Sequence, residues 1–266
     1  MPWVGVDGVE LHYTEQGQGP PIVFSHGLLW SGTMFDDEIA ALSSRYRCIA
    51  YDHRGQGRSA SSPTPYDMER LTDDAAALIE KLGAAPCHFV GLSMGGFVGM
   101  RLAARRPELL KTLTLIETAA DGEPRLNVPK YQALSLVARF LGFKPVVGAV
   151  MRIMFGKSFL GDAARAPLRE RKRAELVALD VPRVEAALHA VVARRPIAPE
   201  LARIRTPTLV LHGDEDRAIV MPRAEKMARA IAGARLVVLP RAGHTSSVET
   251  PEAVTRALGE FLEAHP

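Results

Sequence analysis

Cysteines and long apolar stretches are scarce in this sequence. Only two cysteines, Cys48 and Cys87, occur among 266 residues, and each lies at the start of a short apolar run. Two cysteines supply neither a disulfide framework nor a thiolate metal cluster, so we expect two buried thiols. No apolar run approaches the roughly 18 residues that a membrane-spanning helix needs, and the N-terminal residues lack the apolar core of a signal peptide. These absences predict a cytoplasmic protein with no membrane partner.

Aromatic residues and unbalanced charge are scarce as well. Aromatics make up 6% of the chain, and 33 Lys and Arg against 30 Asp and Glu leave a net charge of +3. A nucleic-acid-binding surface more often concentrates basic residues among aromatic ones, so we expect no nucleic-acid partner. The phosphate-loop motif G-x-x-x-x-G-K-[ST] and the zinc motif H-E-x-x-H are missing, which predicts no cofactor and no metal. The expected partner is a small molecule, and a homo-oligomer is left open.

What the sequence does contain is an alternation of short apolar runs and helical patterns. Residues 3–6 and 9–15 flank Asp7-Gly8 and predict a hairpin. Further strands are predicted at 21–25, 47–51, 87–91, 111–116, 208–212 and 235–239, with helices at about 33–43, 68–82, 94–106, 222–232 and 248–264. Such alternation is typical of an α/β fold with a mostly parallel sheet and helices on both faces.

One interval interrupts this alternation. Residues 121–205 contain no clear strand but carry amphipathic patterns at 131–142, 145–155 and 183–195. We interpret this interval as a helical cap inserted between two strands. The predicted domains are a core of residues 1–120 and 206–266 and a cap of residues 121–205.

Ser93 stands in the pattern G-x-S-x-G, formed by residues 91–95, between a predicted strand and a predicted helix. A serine on a sharp strand-to-helix turn projects its hydroxyl from the edge of the sheet, and glycines relieve the crowding that such a turn creates. This context favours a nucleophile over a helix-capping serine.

A serine nucleophile requires a base and a group that orients the base. His244 follows the last predicted strand and Gly243, at the edge of the sheet where ligands bind in open α/β folds. The acid is expected between serine and histidine in the sequence. Asp216, after strand 208–212, is our choice, and Glu117 and Asp121, after strand 111–116, form the rival acid site.

The intermediate formed by attack on a carbonyl needs donors for its oxyanion. The backbone N–H groups of Met94, next to the nucleophile, and Leu28, after strand 21–25, are the expected donors.

Taken together, these motifs resemble the α/β-hydrolase superfamily. The stretches that carry the resemblance are 25-SHGLLW-30, 51-YDHRGQGRS-59, 91-GLSMGG-96, 211-LHGDEDRAIV-220 and 241-RAGHTSSVETPEAV-254. The resemblance implies an eight-stranded sheet, a triad of Ser93, Asp216 and His244, and a helical lid. It also implies that residues 52–59 form a scaffold loop and that strand 21–25 separates the two cysteines.

The resemblance is strongest to small esterases, enol-lactonases and cofactor-free perhydrolases. Relatives that open halides or epoxides carry aspartate at position 93, so a serine there implies attack on an acyl carbonyl. The predicted function is a serine hydrolase that cleaves the carboxylic ester of a small, partly apolar substrate through an acyl-enzyme. A lactonase is the alternative, and a carbon–carbon bond hydrolase, a perhydrolase and a non-catalytic receptor are further ones. The predicted substrate-binding residues are Trp30, Phe140, Val147, Met151 and Met154.

Overall fold

The fold is described by a computed structural model that covers residues 2–62 and 64–266. Eight strands form one sheet in the order β1-β2-β4-β3-β5-β6-β7-β8. Their bounds are β1 Trp3–Val6, β2 Val9–Gln16, β3 Pro21–Ser25, β4 Arg47–Tyr51, β5 Cys87–Leu92, β6 Leu110–Ile116, β7 Thr208–Gly213 and β8 Arg235–Leu239. The β1–β2 and β2–β4 pairs are antiparallel and the other pairs are parallel. The predicted mostly parallel α/β fold is therefore confirmed.

The first two strands form the predicted hairpin. Asp7 and Gly8 occupy the turn with φ values of 47° and 80°. Positive φ at both central residues is the geometry that matches the natural twist of a two-residue hairpin, and Asp-Gly adopts it at low cost.

Helices lie between the strands and in the interval that interrupts their alternation. Within the described residues they are α1 Asp36–Leu42, α2 Met68–Lys81, α3 Met94–Arg105, α4 Val128–Leu141, α5 Val147–Met154, α6 Lys157–Gly161, α7 Ala166–Val177, α8 Val181–Val192, α9 Met221–Ala230, α10 Ser246–Glu249 and α11 Pro251–Glu263. Short 3₁₀ turns occur at Gly32–Phe35, Pro107–Leu109, Ala163–Arg165 and Ala198–Arg203. None of the described helices has the length and apolar character needed to cross a membrane.

The sheet separates two apolar cores. Along β3, Ile22 and Phe24 pack in one core and Val23 packs in the other, because successive side chains of a strand point to opposite faces. Helices α2, α3 and α9 contribute to the core that contains Val23, and α1 and α11 contribute to the other. A sheet covered on both faces explains why its inner strands are apolar at nearly every position.

Strand order also determines the environment of the two thiols. Strand β3 lies between β4, which carries Cys48, and β5, which carries Cys87. Both cysteines are buried and free, as the resemblance implied. Burial raises the pKa of each thiol to about 12, so neither is a reactive thiolate at neutral pH.

The predicted helices are present in the structure, but some of their bounds differ and two helices were not predicted. Helices α4, α5 and α8 match the three amphipathic patterns between β6 and β7, whereas α6 and α7 were not predicted. The last helix, predicted at about 248–264, is present as α11, but it starts at Pro251, and the residues up to Glu249 belong to the separate short helix α10. Proline has no N–H to donate and is favoured in the first turn of a helix, so a new helix begins there.

Candidate active site

Ser93 lies on a strained turn between β5 and α3. Its φ of 52° and ψ of −107° are values that a non-glycine residue rarely adopts. The turn is held by two hydrogen bonds. The Ser93 N–H donates to Ile116 O at 2.8 Å, and the Thr118 hydroxyl donates to Ser93 O at 2.9 Å. Strain maintained by its surroundings in this way is a feature of functional sites.

The glycines on both sides of Ser93 are required by close backbone contacts. A Cβ on Gly91 would lie 2.3 Å from Gly95 O, and a Cβ on Gly95 would lie 1.9 Å from Ser25 O. Both distances are far below van der Waals contact, so only glycine fits while helix α3 packs this closely against β3 and β5. The motif is therefore explained by the geometry of the turn.

Three side chains from distant positions form a hydrogen-bonded chain at the C-terminal edge of the sheet. Ser93 Oγ lies 2.9 Å from His244 Nε2, and His244 Nδ1 lies 2.8 Å from Asp216 Oδ2. Asp216 lies in the loop after β7 and His244 in the loop after β8. Their relative exposures of 8%, 7% and 4% for Ser93, Asp216 and His244 show that all three are shielded from bulk water. A carboxylate on Nδ1 leaves Nε2 free to accept the serine proton.

Asp216 is held as an anion. Its Oδ1 accepts hydrogen bonds from the N–H groups of Ala218 at 2.8 Å and Ile219 at 3.0 Å. Burial alone would raise the pKa of Asp216, but the adjacent His244 and these hydrogen bonds lower it below the ordinary value. The group that faces His244 Nδ1 is therefore a negative charge at neutral pH.

The rival acid site lies beside this chain and does not reach His244. Glu117 is fully buried at the end of β6, where it accepts a hydrogen bond from the Gly213 N–H at 2.9 Å and lies 3.3 Å from His212 Nδ1. Burial, and next the charge of Asp216, raise the pKa of Glu117 well above its usual range. Asp121 instead pairs with Lys226 at 3.0 Å. Neither carboxyl group of the rival site is therefore bound to His244, whereas Asp216 is.

Three potential metal-ligand atoms lie within 4.8 Å of one another, one each from Glu117, His212 and Asp216. Each side chain is already engaged, however. His212 Nε2 lies 2.8 Å from Ile219 O, and Asp216 is bound to His244 and to backbone N–H groups. The cluster is therefore arranged as a hydrogen-bond network beneath the triad.

Glu249 fixes the loop that carries His244. Its Oε2 accepts hydrogen bonds from the N–H groups of Gly156 at 2.8 Å and Gly243 at 3.1 Å, and its Oε1 accepts one from Thr245 at 3.1 Å. Gly243 and Thr245 flank His244, while Gly156 lies between α5 and α6. This carboxylate thus joins the histidine loop to the helices above it. Burial raises the pKa of Glu249 to about 7 despite these bonds. Sequence reasoning did not single it out.

The expected oxyanion donors lie next to the nucleophile. Leu28 lines the same cavity as Ser93, and Met94 is the first residue of α3. Among the described residues, neither backbone N–H has a protein acceptor. Gln56 connects the two segments, because its Oε1 accepts from the Leu29 N–H at 3.0 Å and its Nε2 lies 3.7 Å from Met94 Sδ. Gln56 is a second residue that the sequence did not reveal.

Residues 52–59, expected as scaffold, are occupied by structural contacts. Asp52 accepts hydrogen bonds from the N–H groups of Gly32 at 2.8 Å and Arg58 at 2.9 Å. Arg54 forms a buried, two-point ion pair with Asp74. These side chains therefore stabilise the loop.

An internal cavity of about 120 Å³ opens onto Ser93 and His244. Most of its wall is apolar and comes from α3 and from helices α4, α5 and α8. The apolar lining residues include Phe97, Leu134, Ala138, Phe143, Val146, Val150, Ile153, Met154, Val184 and Leu188. A mostly apolar cavity with a few polar groups is the usual form of a small-molecule site.

The structure places one of the five predicted substrate-binding residues in this wall, Met154. Trp30, Val147 and Met151 are buried in the neighbouring core instead, where Trp30 packs edge-on against Phe155 at 5.8 Å. Phe140 is 74% exposed on the outer side of α4. These four residues do not line this cavity, because an apolar pattern identifies a packing face without identifying what packs on it.

Comparison with known proteins agrees with this geometry. The family model described as the alpha/beta hydrolase fold matches residues 20–251. The chain belongs to the α/β-hydrolase family, and its relatives support a hydrolase activity.

Particular relatives cover nearly the whole chain. A protein of Pseudomonas syringae pv. syringae (strain B728a), provisionally named carbamate hydrolase RutD, is 31% identical over 97% of this chain and 99% of its own length. The crystal structure of the enol-lactonase from Burkholderia xenovorans LB400 is 34% identical, with a TM-score of 0.90 over 98% of this chain and 100% of that one. The thermophilic esterase from Thermogutta terrifontis, solved with malate bound, is 28% identical, with a TM-score of 0.91 and full coverage of both chains.

Proposed function

We propose that the protein is a serine hydrolase that cleaves carboxylic esters through an acyl-enzyme on Ser93. The observation that carries the proposal is the chain of hydrogen bonds from Ser93 through His244 to Asp216, at 2.9 Å and 2.8 Å, facing an apolar cavity. Serine is a weak nucleophile at neutral pH, and an imidazole held in this way removes its proton as it attacks.

In the first half-reaction Ser93 Oγ attacks the ester carbonyl while its proton passes to His244 Nε2. The charge of Asp216 stabilises the imidazolium that forms and keeps the ring in the required orientation. His244 then donates the proton to the departing alcohol, which leaves the acyl group on Ser93. In the second half-reaction a water molecule, deprotonated by His244, attacks the acyl-enzyme; the bond between Ser93 Oγ and the acyl carbon then breaks, His244 returns the proton to Ser93 Oγ, and the acid is released.

The oxyanion of each tetrahedral intermediate is assigned to the N–H groups of Leu28 and Met94. Both lack an acceptor within residues 2–62 and 64–266, and the second lies at the N-terminus of α3, where the helix dipole favours negative charge. Removing one such donor typically costs roughly 2.7–4 kcal/mol of transition-state stabilisation. Gln56, which contacts both segments, is proposed to maintain their spacing.

The segment 121–205 is proposed to act as a cap over the core formed by residues 1–120 and 206–266. Its helices α4, α5 and α8 contribute most of the apolar cavity wall. An apolar wall of this kind excludes water and receives the apolar part of a small substrate. Cytoplasmic location and self-association stay predictions.

A lactone is a second candidate substrate. The similarity to an enol-lactonase over 98% of the chain favours it, and a lactone carbonyl undergoes the same attack, with the leaving alcohol kept on the acyl group. The carbamate named for another relative likewise presents an acyl carbonyl. A panel of linear esters, lactones and carbamates measured in parallel ranks these substrates.

Replacing Ser93 with alanine tests the proposal. Hydrolysis of a p-nitrophenyl ester is expected to fall at least about 10³-fold, because the nucleophile is lost. Ser44→Ala, on the exposed surface, is the matched control and should keep wild-type rates. A fluorophosphonate should add covalently to the wild type and to Ser44→Ala but not to Ser93→Ala. Near-normal turnover by Ser93→Ala would refute the assignment.

A further inference from the structure

Besides Ser93, His244, Ser135 and Glu185, the cavity wall contains a cluster of polar residues near the end of α8. Glu123, Tyr131 and Arg194 form this cluster, in a wall that is otherwise mostly apolar. Their charges influence one another, since burial raises the pKa of Tyr131 to about 12, with Glu123 raising it further and Arg194 acting in the opposite direction. The side chain of Arg194 is only 2% exposed. A buried guanidinium in a substrate cavity calls for an explanation because burying such a group is unfavourable unless it is well paired.

The guanidinium of Arg194 is only partly paired within the protein. Its Nη1 donates to Glu123 Oε2 at 3.1 Å and to Val191 O at 2.7 Å. Its Nε and Nη2 are buried and have no partner among the described residues. Buried donors nearly always have an acceptor, so three N–H bonds lack the partner that their environment requires.

A second buried arginine, Arg101, has a hydrogen-bond acceptor for each of its three side-chain nitrogens. Arg101 donates through Nε to Glu69 at 2.9 Å, through Nη1 to Phe97 O at 3.0 Å and through Nη2 to Arg195 O at 2.7 Å. All three of its nitrogens are used, and it does not line the cavity. The incomplete pairing of Arg194 is thus particular to the residue that faces the site.

The unpartnered atoms of Arg194 form one edge of the planar group. Nε and Nη2 point their hydrogens in parallel, which is the arrangement that binds both oxygens of a carboxylate. Burial lowers the pKa of Arg194 to about 10, so the group is still charged at neutral pH. Glu123 occupies a different nitrogen, and its other oxygen accepts from Asn127 Nδ2 at 2.8 Å. This edge is therefore available to an anionic ligand.

The position of Arg194 relative to the nucleophile limits the length of that ligand. Its guanidinium lies over the ring of Phe97, 4.2 Å from the ring centroid. Phe97 comes one helical turn after Ser93, and its N–H donates to Ser93 O at 3.0 Å. The four residues from Ser93 to Phe97 correspond to a rise of about 6 Å along the helix axis. A short chain of carbon atoms spans such a separation.

We propose that Arg194 binds a carboxylate at the end of the substrate remote from the reacting carbonyl, so that the preferred substrates are esters or lactones of short-chain acids that carry a second carboxyl group. The inference rests on the proposed function, since it assumes that Ser93 attacks the carbonyl. It deepens that function by assigning the substrate a charge and a binding residue. Phe97 and the apolar wall then contact the carbon chain between the two ends.

Two esters of equal length test the preference. Mono-p-nitrophenyl adipate ends in a carboxylate, and methyl p-nitrophenyl adipate ends in a neutral ester. The wild type is expected to favour the first in kcat/KM by at least about 10-fold, because a site built around hydrogen-bond donors rejects a ligand without the matching group. Equal kcat/KM for the two esters would overturn the inference and leave only ordered water as the partner of Arg194.

Variants at positions 194 and 195 test whether Arg194 causes the preference for the ester that ends in a carboxylate. Arg194→Gln and Arg194→Lys are both expected to lose the preference, the second because lysine keeps the charge but not the two-point edge. The readout is the ratio of kcat/KM between the two esters, measured within each variant. Arg195→Gln, which removes the same charge from an exposed neighbour, is the matched control and should keep the preference. Loss of the preference in Arg195→Gln, or its survival in Arg194→Gln, would contradict the assignment.

Two further measurements guard against misfolding and separate the two hypotheses. The double variant Glu123→Gln/Arg194→Gln removes both buried charges and should also lose the preference. In the wild type, adipate should inhibit at least about 10-fold more tightly than hexanoate, and equal inhibition would count against Arg194. If both esters are hydrolysed through Ser93 without preference, this inference fails and the proposed function stands. If neither ester is hydrolysed, the proposed function fails, and calorimetric binding of adipate against hexanoate decides the role of Arg194.

Discussion

Gly95 follows the nucleophile by two residues, and a methyl group has no space there. A Cβ at this position would lie 1.9 Å from Ser25 O, whereas a relaxed carbon–oxygen contact is above about 3 Å, so one backbone must retreat by more than about 1 Å. Strand β3 is hydrogen-bonded on both sides, to β4 and β5, and cannot yield easily. We expect Gly95→Ala to lower the free energy of unfolding by about 3 kcal/mol, the upper part of the usual range for overpacking.

The same displacement should also lower the catalytic rate. Helix α3 carries Ser93 at its start, so moving the helix lengthens the 2.9 Å contact between Ser93 and His244. A misplacement of about 1 Å can cost roughly 100-fold in rate, and we expect a loss of kcat of that order in the folded variant. Urea unfolding followed by circular dichroism measures the stability, and p-nitrophenyl ester hydrolysis measures the rate.

Gly259 supplies a control with the same substitution and the opposite expectation. It lies inside α11, and a Cβ there meets nothing within 4 Å. Gly259→Ala should raise the free energy of unfolding by about 0.5–1 kcal/mol, because alanine loses less backbone entropy in a helix, and should leave kcat unchanged. The reasoning is refuted if Gly95→Ala matches the wild type in stability and kcat, or if both variants are destabilised alike.

Two further predictions concern the acids around His244. Asp216→Asn should lower kcat about 10⁴-fold in steady-state ester hydrolysis, because an amide no longer fixes the imidazole tautomer; a loss below 10-fold would contradict its role. Glu249 has a folded pKa of about 7 against an ordinary 4.5, so the native state holds its proton more tightly and stability is lost as pH rises through 7. Relative to Glu249→Gln, the wild type should lose roughly 3 kcal/mol between pH 4 and 8 in urea unfolding, and a constant difference would exclude this titration.

The fold and the triad positions were predictable because they depend on local patterns and one topological rule. Ser93, Asp216 and His244 each follow an apolar strand, and parallel strands bring their carboxyl ends to one edge of a sheet. Order along the chain then limited the acid to the residues between Ser93 and His244, which left Glu117 and Asp121 as rivals of Asp216. No contact had to be known in advance, since each residue was placed by the strand before it.

Glu117 shows what this reasoning could not predict, namely which of two acids after neighbouring strands contacts His244. It follows β6 just as Asp216 follows β7, so strand position alone admits both. The pairing of Ile116 with Leu211 brings Glu117 close to Asp216, and two buried carboxyl groups at short range do not both ionise readily. The role of each acid is decided by its hydrogen-bond donors and its burial, which depend on the register between strands and on loops that the sequence does not describe.

The helical segment 121–205, proposed as a cap, illustrates a different limit. Helix α4 was predicted correctly as a helix, but apolar residues occur around most of its circumference. Leu134 and Ala138 line the cavity while Leu136 and Phe140 are exposed, and periodicity alone does not distinguish these faces.

Arg194 is a clearer example, because the neighbouring Arg195 has the same chemistry and lies outside the cavity. What distinguishes the two is the contact of Arg194 with Glu123 and Phe97, about 70 and 100 residues earlier in the chain. The residue proposed to select the substrate is therefore defined by long-range packing, whereas the residues proposed to perform the chemistry are defined by short motifs.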